Sequence, residues 1–169
     1  LDGWYSPSGL KELLRQDIPK AEAELAVMPF DFGFDLRDYQ RKAIEAVEKS
    51  LSAGKRECLL AMATGTGKTK TCIALLYRLL KTRRFRRVLF LVDRTSLGEQ
   101  AGNSFKDTRV DTLQTFADSF GITDIDESAA QAETAVHIAT VQGMSARLLG
   151  NDPDKAPAVD DYDCIIIDE

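Results

Sequence analysis

Little in this chain supports metal, disulfide or membrane chemistry. Its 169 residues hold one histidine, His137, and three cysteines, Cys58, Cys72 and Cys164. A single histidine excludes a metal site built from several histidines, and an ordinary strand residue is the expectation for His137. The cysteines are odd in number, lie in apolar stretches and lack C-x-x-C spacing. They read as buried thiols of a reducing, cytoplasmic compartment rather than as zinc ligands or disulfides. No apolar run reaches the roughly eighteen residues that a membrane-spanning helix needs. There is no internal repeat and no low-complexity tail. A net charge of −5 excludes a protein that coats nucleic acid over its whole surface, but not one that grips it in a single groove.

What is present describes one globular domain of ordinary size, with 44% hydrophobic and 29% charged residues and length enough to bury a core. Leu1 in place of an initiator Met and a last residue at Glu169 lead us to expect a fragment of something longer. The most informative tract is Met62-Ala63-Thr64-Gly65-Thr66-Gly67-Lys68-Thr69, directly after the apolar Leu59-Leu60-Ala61. A loop that wraps phosphates needs small residues so that backbone N–H groups point inward, then a lysine for the outer phosphates and a hydroxyl for magnesium. Thr64, Gly65, Thr66, Gly67, Lys68 and Thr69 fit those roles. One hundred residues after Lys68, the apolar run Cys164-Ile165-Ile166-Ile167 ends in Asp168 and Glu169. A carboxylate at the end of a buried strand can hold magnesium through water, and the next acid can orient and deprotonate an attacking water.

The apolar pattern predicts alternating helices and strands. A small helix follows Ser6 and Pro7, and a stronger one runs from an Asp35 cap, with Ala43, Ile44, Val47 and Leu51 on one face, to near Gly54. Residues 57–62 read as a buried strand, and the phosphate loop then opens a helix carrying Cys72, Ile73, Leu76, Leu79 and Leu80. Strands are expected at 88–92, 110–113, 135–140 and 163–168, with helices near 96–106, 115–120 and 142–149. The acidic, Ala-rich stretch 121–133 reads as exposed. The sum is an α/β, doubly wound, mostly parallel sheet of RecA-like type with helices on both faces. Residues 1–34 form a lead-in, and 35–169 the motor-type domain, cut at its second pair of carboxylates. The basic run Lys81, Arg83, Arg84, Arg86, Arg87 lies between a helix and a strand, where helix-end solvation competes with nucleic-acid contact. Glu22 and Glu24 read as solvated.

Met62 stands where the full G-x-x-x-x-G-K-[ST] pattern has glycine. Superfamily 2 helicases and translocases commonly lack that glycine, and three further segments resemble their motifs in order. Leu36-Arg37-Asp38-Tyr39-Gln40 resembles their Leu-Arg-x-Tyr-Gln element. A glutamine amide has both a donor and an acceptor, so Gln40, with Arg37 nearby, is the expected adenine reader that selects ATP over GTP; a polar residue on an exposed helix face is the alternative. Leu91-Val92-Asp93-Arg94, continuing to Gln100, is similar to the motif that touches the DNA backbone. An Asp93 ion pair is the competing role for Arg94. Ile138-Ala139-Thr140-Val141-Gln142 resembles the later Thr-x-Gln segment, where Thr140 and Gln142 contact DNA or brace the nucleotide motifs.

The combination looks like the motor subunit of type I restriction endonucleases. That resemblance implies Mg2+ and ATP as cofactors, and translocation of double-stranded DNA toward methyltransferase and specificity subunits. It further implies a second RecA-like domain whose arginines reach the γ-phosphate. Without such arginines, worth roughly 10³ to 10⁵ in rate, the fragment is expected to be nearly inert. A nuclease site has no convincing counterpart before Asp35. A strand-separating repair helicase and a non-catalytic nucleotide-binding module are the alternatives.

Overall fold

The computed structural model describes residues 5–111, 114–123, 134–150 and 156–168. Glu169, residues 112–113 of the strand expected at 110–113 and residues 124–133 of the acidic stretch lie outside the described residues.

Four strands, β1 (Val88–Val92), β2 (Gly121–Thr123), β3 (Thr134–Thr140) and β4 (Cys164–Asp168), form one sheet in the order β2-β3-β1-β4, with every pair parallel. The register sets Val92 beside both Thr140 and Asp168. The C-terminal ends of three strands therefore lie abreast, where α/β sheets place their ligands.

Seven helices complete the described fold: α1 (Pro7–Arg15), α2 (Ile18–Val27), α3 (Asp38–Ser52), α4 (Lys68–Lys81), α5 (Thr95–Asp107), α6 (Phe116–Ser119) and α7 (Val141–Leu149). On one face of the sheet, Val88, Phe90, Val92, Val136 and Ile138 pack with Ile73, Leu76, Tyr77 and Leu80 of α4 and Ala101 and Phe105 of α5. On the other, Leu89 and Ala139 pack with Met144 of α7. Alternate side chains of a strand point to opposite faces, so a sheet covered on both sides needs strands that are apolar throughout. The RecA-like α/β expectation is met. A second cluster joins Ala74, Leu75 and Leu79 of α4 to Ile44 and Val47 of α3 and Leu25 of α2, so α4 is apolar and buried nearly all round.

Local chemistry explains the helix ends. Ser6 caps α1 by accepting the Gly9 N–H at 2.9 Å, and Asp17 caps α2 by accepting from Lys20 N at 3.0 Å. At the end of α4 the Arg84 N–H reaches Leu79 O and the Arg83 N–H reaches Leu80 O, with Arg83 left-handed at φ 57°. Those two bonds define a Schellman stop, here without the usual glycine.

Several sequence expectations are corrected. The strand that ends in Asp168 is only half buried, with Ile165 and Ile167 60% and 68% exposed. Residues 57–62 form no strand; Leu59 is 93% exposed, and the sheet ends at β4. An apolar run becomes a strand only when a neighbour completes its hydrogen-bond ladder, and among the described residues no strand pairs with this run. Asp35 does not cap α3: the helix starts at Asp38, and Gln40 Oε1 closes its first turn by accepting the Arg37 N–H at 2.9 Å. Around Val110 the described residues show only an isolated antiparallel bridge, between Arg109 and Thr115. Gly121–Thr123 is the edge strand β2, with Thr123 buried. Cys58 is exposed rather than buried, because the strand expected to enclose it does not form.

Glu22 is likewise paired, lying 3.3 Å from Arg84 with both side chains mostly covered. The basic run is neither free nor merely solvated. Arg86 pairs with Glu12 and donates to Asp160 O at 2.5 Å, and Arg87 donates to Thr134 O at 2.9 Å. These bonds fasten α1, α2 and the segment before β4 to the turn after α4. His137 is buried in β3, as expected, and bonds the Tyr162 hydroxyl through Nδ1. No helix among the described residues is long and apolar enough to cross a membrane.

Candidate nucleotide site

The phosphate loop is a turn pinned at its start and end. Thr66 closes it by donating through N and Oγ1 to Ala63 O, at 3.3 and 2.6 Å. Gly65 and Gly67 have φ of 77° and 83°, a left-handed backbone that costs a residue with Cβ about 1–2 kcal/mol. At Gly67 space is also limiting, since a Cβ there would lie 2.6 Å from Gln40 Nε2. Gly67 then opens α4, and its carbonyl accepts Thr71 N and Thr71 Oγ1, each at 3.0 Å. The free N–H groups at such a helix start, with the positive end of the dipole, suit an anion.

The start of α3 grips this loop. Gln40, only 4% exposed, donates from Nε2 to Thr66 O and Gly67 O, both at 3.2 Å. The Tyr39 hydroxyl donates to the same Thr66 carbonyl at 2.7 Å, and Arg37 Nη1 donates to that hydroxyl at 3.2 Å. Both donors of the Gln40 amide therefore serve the loop, and Oε1 serves Arg37 N. Beside this grip is a cavity of about 140 Å3, lined by Asp35, Arg37, Gln40, Gly65, Thr66, Gly67 and Lys70. Lys70 Nζ lies 5.5 Å from the Phe34 ring centroid, and Phe34 stacks on Phe32 at 5.4 Å.

Lys68 and Thr69 are the first residues of α4, and Asp168 is the last of β4. Cys72, one turn beyond Lys68, feels the charges of Lys68 and Asp168. Burial first, and then the Asp168 carboxylate, push its thiol up to about 12, while Lys68 pulls the other way. Among the described residues no three His, Cys, Asp or Glu side chains gather as a metal cage. Magnesium needs none, because it keeps several waters and takes one or two carboxylates with substrate phosphates; a hydroxyl and a carboxylate beside an anion-binding helix start are a donor set that fits it.

The expected DNA residues share the same edge of the sheet in part. Arg94 precedes α5 and lies 3.5 Å from Asp93, both well exposed, so its alternative role as an ion pair is the one seen. Thr140 caps α7 by accepting Gly143 N at 3.0 Å, and Gln142 Nε2 donates to Asp93 Oδ1 at 3.4 Å. Asp93, Arg94, Thr140 and Gln142 thus form one cluster at the ends of β1 and β3. Gln100 is exposed further along α5. Thr64 is exposed at the loop.

Two features were missed at the sequence level: the Tyr39 grip, signalled only by a tyrosine beside Gln40, and Lys70 on the cavity wall. A separate cavity of about 680 Å3 lies between α1, α2 and the 81–86 turn, and shares no residue with the phosphate loop.

A parallel sheet with a glycine turn opening α4 and an acid at the end of β4 defines a RecA-like domain of the superfamily 2 helicase type. Within that class the chain belongs to the family described as "Type III restriction enzyme, res subunit", whose model it matches over residues 33–169. It is 45% identical to the Type I restriction enzyme EcoKI endonuclease subunit of Escherichia coli (strain K12), over 100% of this chain and 14% of that protein. It is 31% identical to the Type I restriction enzyme EcoAI endonuclease subunit of Escherichia coli, over 100% of this chain and 20% of that one. The chain therefore spans a seventh to a fifth of these relatives. Among solved structures it resembles a nuclease-deletion mutant of the Type ISP restriction-modification enzyme LlaGI in complex with a DNA substrate mimic. That match has a TM-score of 0.53 at 25% identity, covering 80% of this chain and 15% of the other.

Proposed function

We propose that residues 35–169 are the first RecA-like domain of an ATP-dependent DNA translocase, the restriction subunit of a type I restriction-modification enzyme, with residues 1–34 as its lead-in. The observation that carries this reading is the left-handed loop Gly65–Gly67 opening α4 with Lys68, Thr69 and Asp168 beside it. Lys68 neutralises the outer phosphates, and the N–H groups of Gly65 to Thr69 cradle the inner ones. Thr69 and, through water, Asp168 hold Mg2+, which supplies charge neutralisation at the phosphates. Glu169 orients the attacking water and takes its proton. Gln40 and Arg37 meet the adenine at the small cavity, with Phe32 or Phe34 as the ring against it. For Gln40 to read a base, its amide must exchange a loop carbonyl for the base edge, since its donors are otherwise spent.

The family's restriction relatives, and the LlaGI structure with its DNA substrate mimic, support DNA as the substrate. The cluster of Arg94, Thr140 and Gln142 is the proposed backbone contact, with Gln100 beyond it. A second RecA-like domain brings arginines to the γ-phosphate, and methyltransferase and specificity subunits complete the assembly. In the complete subunit, Glu169→Gln is expected to keep Mg-ATP binding and abolish turnover; normal turnover removes Glu169 from its role. A translocase displaces a triplex-forming strand without opening the duplex beneath. Release of a paired strand instead supports a repair-type helicase.

A further inference from the structure

Tyr39 occupies a position that the nucleotide-site reading leaves without a role. It is 41% exposed, so its ring contributes little to the core, yet its hydroxyl makes the shortest bond from α3 to the phosphate loop, 2.7 Å to Thr66 O. A trans peptide is planar, with its carbonyl and N–H pointing in opposite directions. Holding the Thr66 carbonyl toward α3 therefore turns the Gly67 N–H toward the other side of the loop. Holding the Gly67 carbonyl, as Gln40 and Thr71 do, does the same for the Lys68 N–H. These are the groups that must point at an anion for the loop to bind one.

Gln40 shares the Thr66 carbonyl with Tyr39, but Gln40 also lines the small cavity and must turn from the loop to read a base. Tyr39 does not line that cavity. Its hydroxyl receives a charged donor from Arg37, which does line it. That bond directs the hydroxyl proton away from Arg37 and toward Thr66, and polarises it.

We propose that Tyr39 is a positioning residue that keeps the phosphate loop in its anion-binding shape whether Gln40 holds the loop or turns to a base, with Arg37 joining the base pocket to the loop through the Tyr39 hydroxyl. This inference rests on the nucleotide-site reading above.

The test compares the full chain with Tyr39→Phe, which removes only the hydroxyl, and with Lys68→Ala. Magnesium tripolyphosphate, which carries no base, and Mg-ATP are titrated by calorimetry, and the melting temperature is followed alongside. Tyr39→Phe is expected to weaken both ligands by a similar factor, on the order of three- to ten-fold, as suits one hydrogen bond, while the melting temperature stays within about a degree because the side chain is exposed. Unchanged tripolyphosphate affinity in Tyr39→Phe overturns the inference alone. So does a loss confined to Mg-ATP, since that makes Tyr39 a base contact. Absence of Lys68-dependent binding of either ligand by the unsubstituted chain overturns the nucleotide-site reading, and the inference falls with it.

Discussion

Arg78 tests the physical account of the fold most severely, because one side chain joins three elements inside the protein. It sits in the last turn of α4 and is 1% exposed. Nε and Nη2 donate to the two Glu48 oxygens of α3 at 2.6 and 3.1 Å. Nη1 donates to Met28 O and Pro29 O at 2.7 and 3.1 Å, and Nη2 to Leu25 O at 2.8 Å. All five guanidinium hydrogens are thereby used, and the Phe30 ring centroid lies 4.1 Å from the guanidinium carbon. Arg78→Met keeps the volume but strands the Glu48 carboxylate, whose side chain is only 12% exposed, and leaves three carbonyls without their donor. Breaking one half of a buried pair typically costs about 3–5 kcal/mol. With a urea dependence of about 2 kcal/mol per molar, the unfolding midpoint should fall by about 1.5–2.5 M. Arg78→Met combined with Glu48→Met should recover much of the loss, because the stranded charge is gone. A single-variant loss below about 1 kcal/mol, or a double variant no better than the single, refutes the reasoning.

Gly67→Ala should cost about 1–3 kcal/mol in urea melts, from the left-handed φ and the 2.6 Å approach to Gln40 Nε2, and should weaken Mg-ATP binding. Arg83→Gly should stabilise by about 0.5–1 kcal/mol in the same melts, because glycine relieves the φ of 57° at the end of α4. The cysteines should differ in alkylation. Cys58 is exposed, whereas burial first pushes Cys72 and Cys164 up to about 12. Only the thiolate reacts, so at pH 8 about one in ten thousand molecules carries it at either buried site; one fast label per native chain, and three in denaturant, is the expected mass-spectrometric count.

How legible the molecule was in its sequence depended on how local each signal was. β1 and β3 were readable because a two-sided parallel sheet forces continuous apolar runs; β4 carries the same kind of run, although Ile165 and Ile167 on one of its faces are exposed. α4 was readable because Gly67 and the period of Ile73, Leu76 and Leu80 both mark it. Residues 57–62 carry a similar apolar signal and form no strand, because a run reports the tendency to bury, while a strand also needs a neighbour. The start of α3 was misplaced because Asp35 looks like a cap, whereas the bond that closes the turn comes from Gln40. That bond also shows why the candidate site was only half legible. The loop residues and Asp168 follow from their own motif, but the use of both Gln40 donors on Thr66 and Gly67 depends on how α3 meets α4. Arg78 could have been flagged as a lone charge inside Ile73–Leu80; its partners, on α3 and at the end of α2, could not. The ion pairs of the 81–87 run were hidden for the same reason, since Glu12, Glu22 and Asp161 are remote in sequence.

Calorimetric titration of the full chain with Mg-ATP and Mg-GTP, with Lys68→Ala as control, tests the central claim most directly. The account predicts binding that requires Lys68 and favours ATP over GTP. Equal affinity for the two nucleotides contradicts the base-reading role of Gln40, and binding that survives Lys68→Ala contradicts the phosphate loop itself.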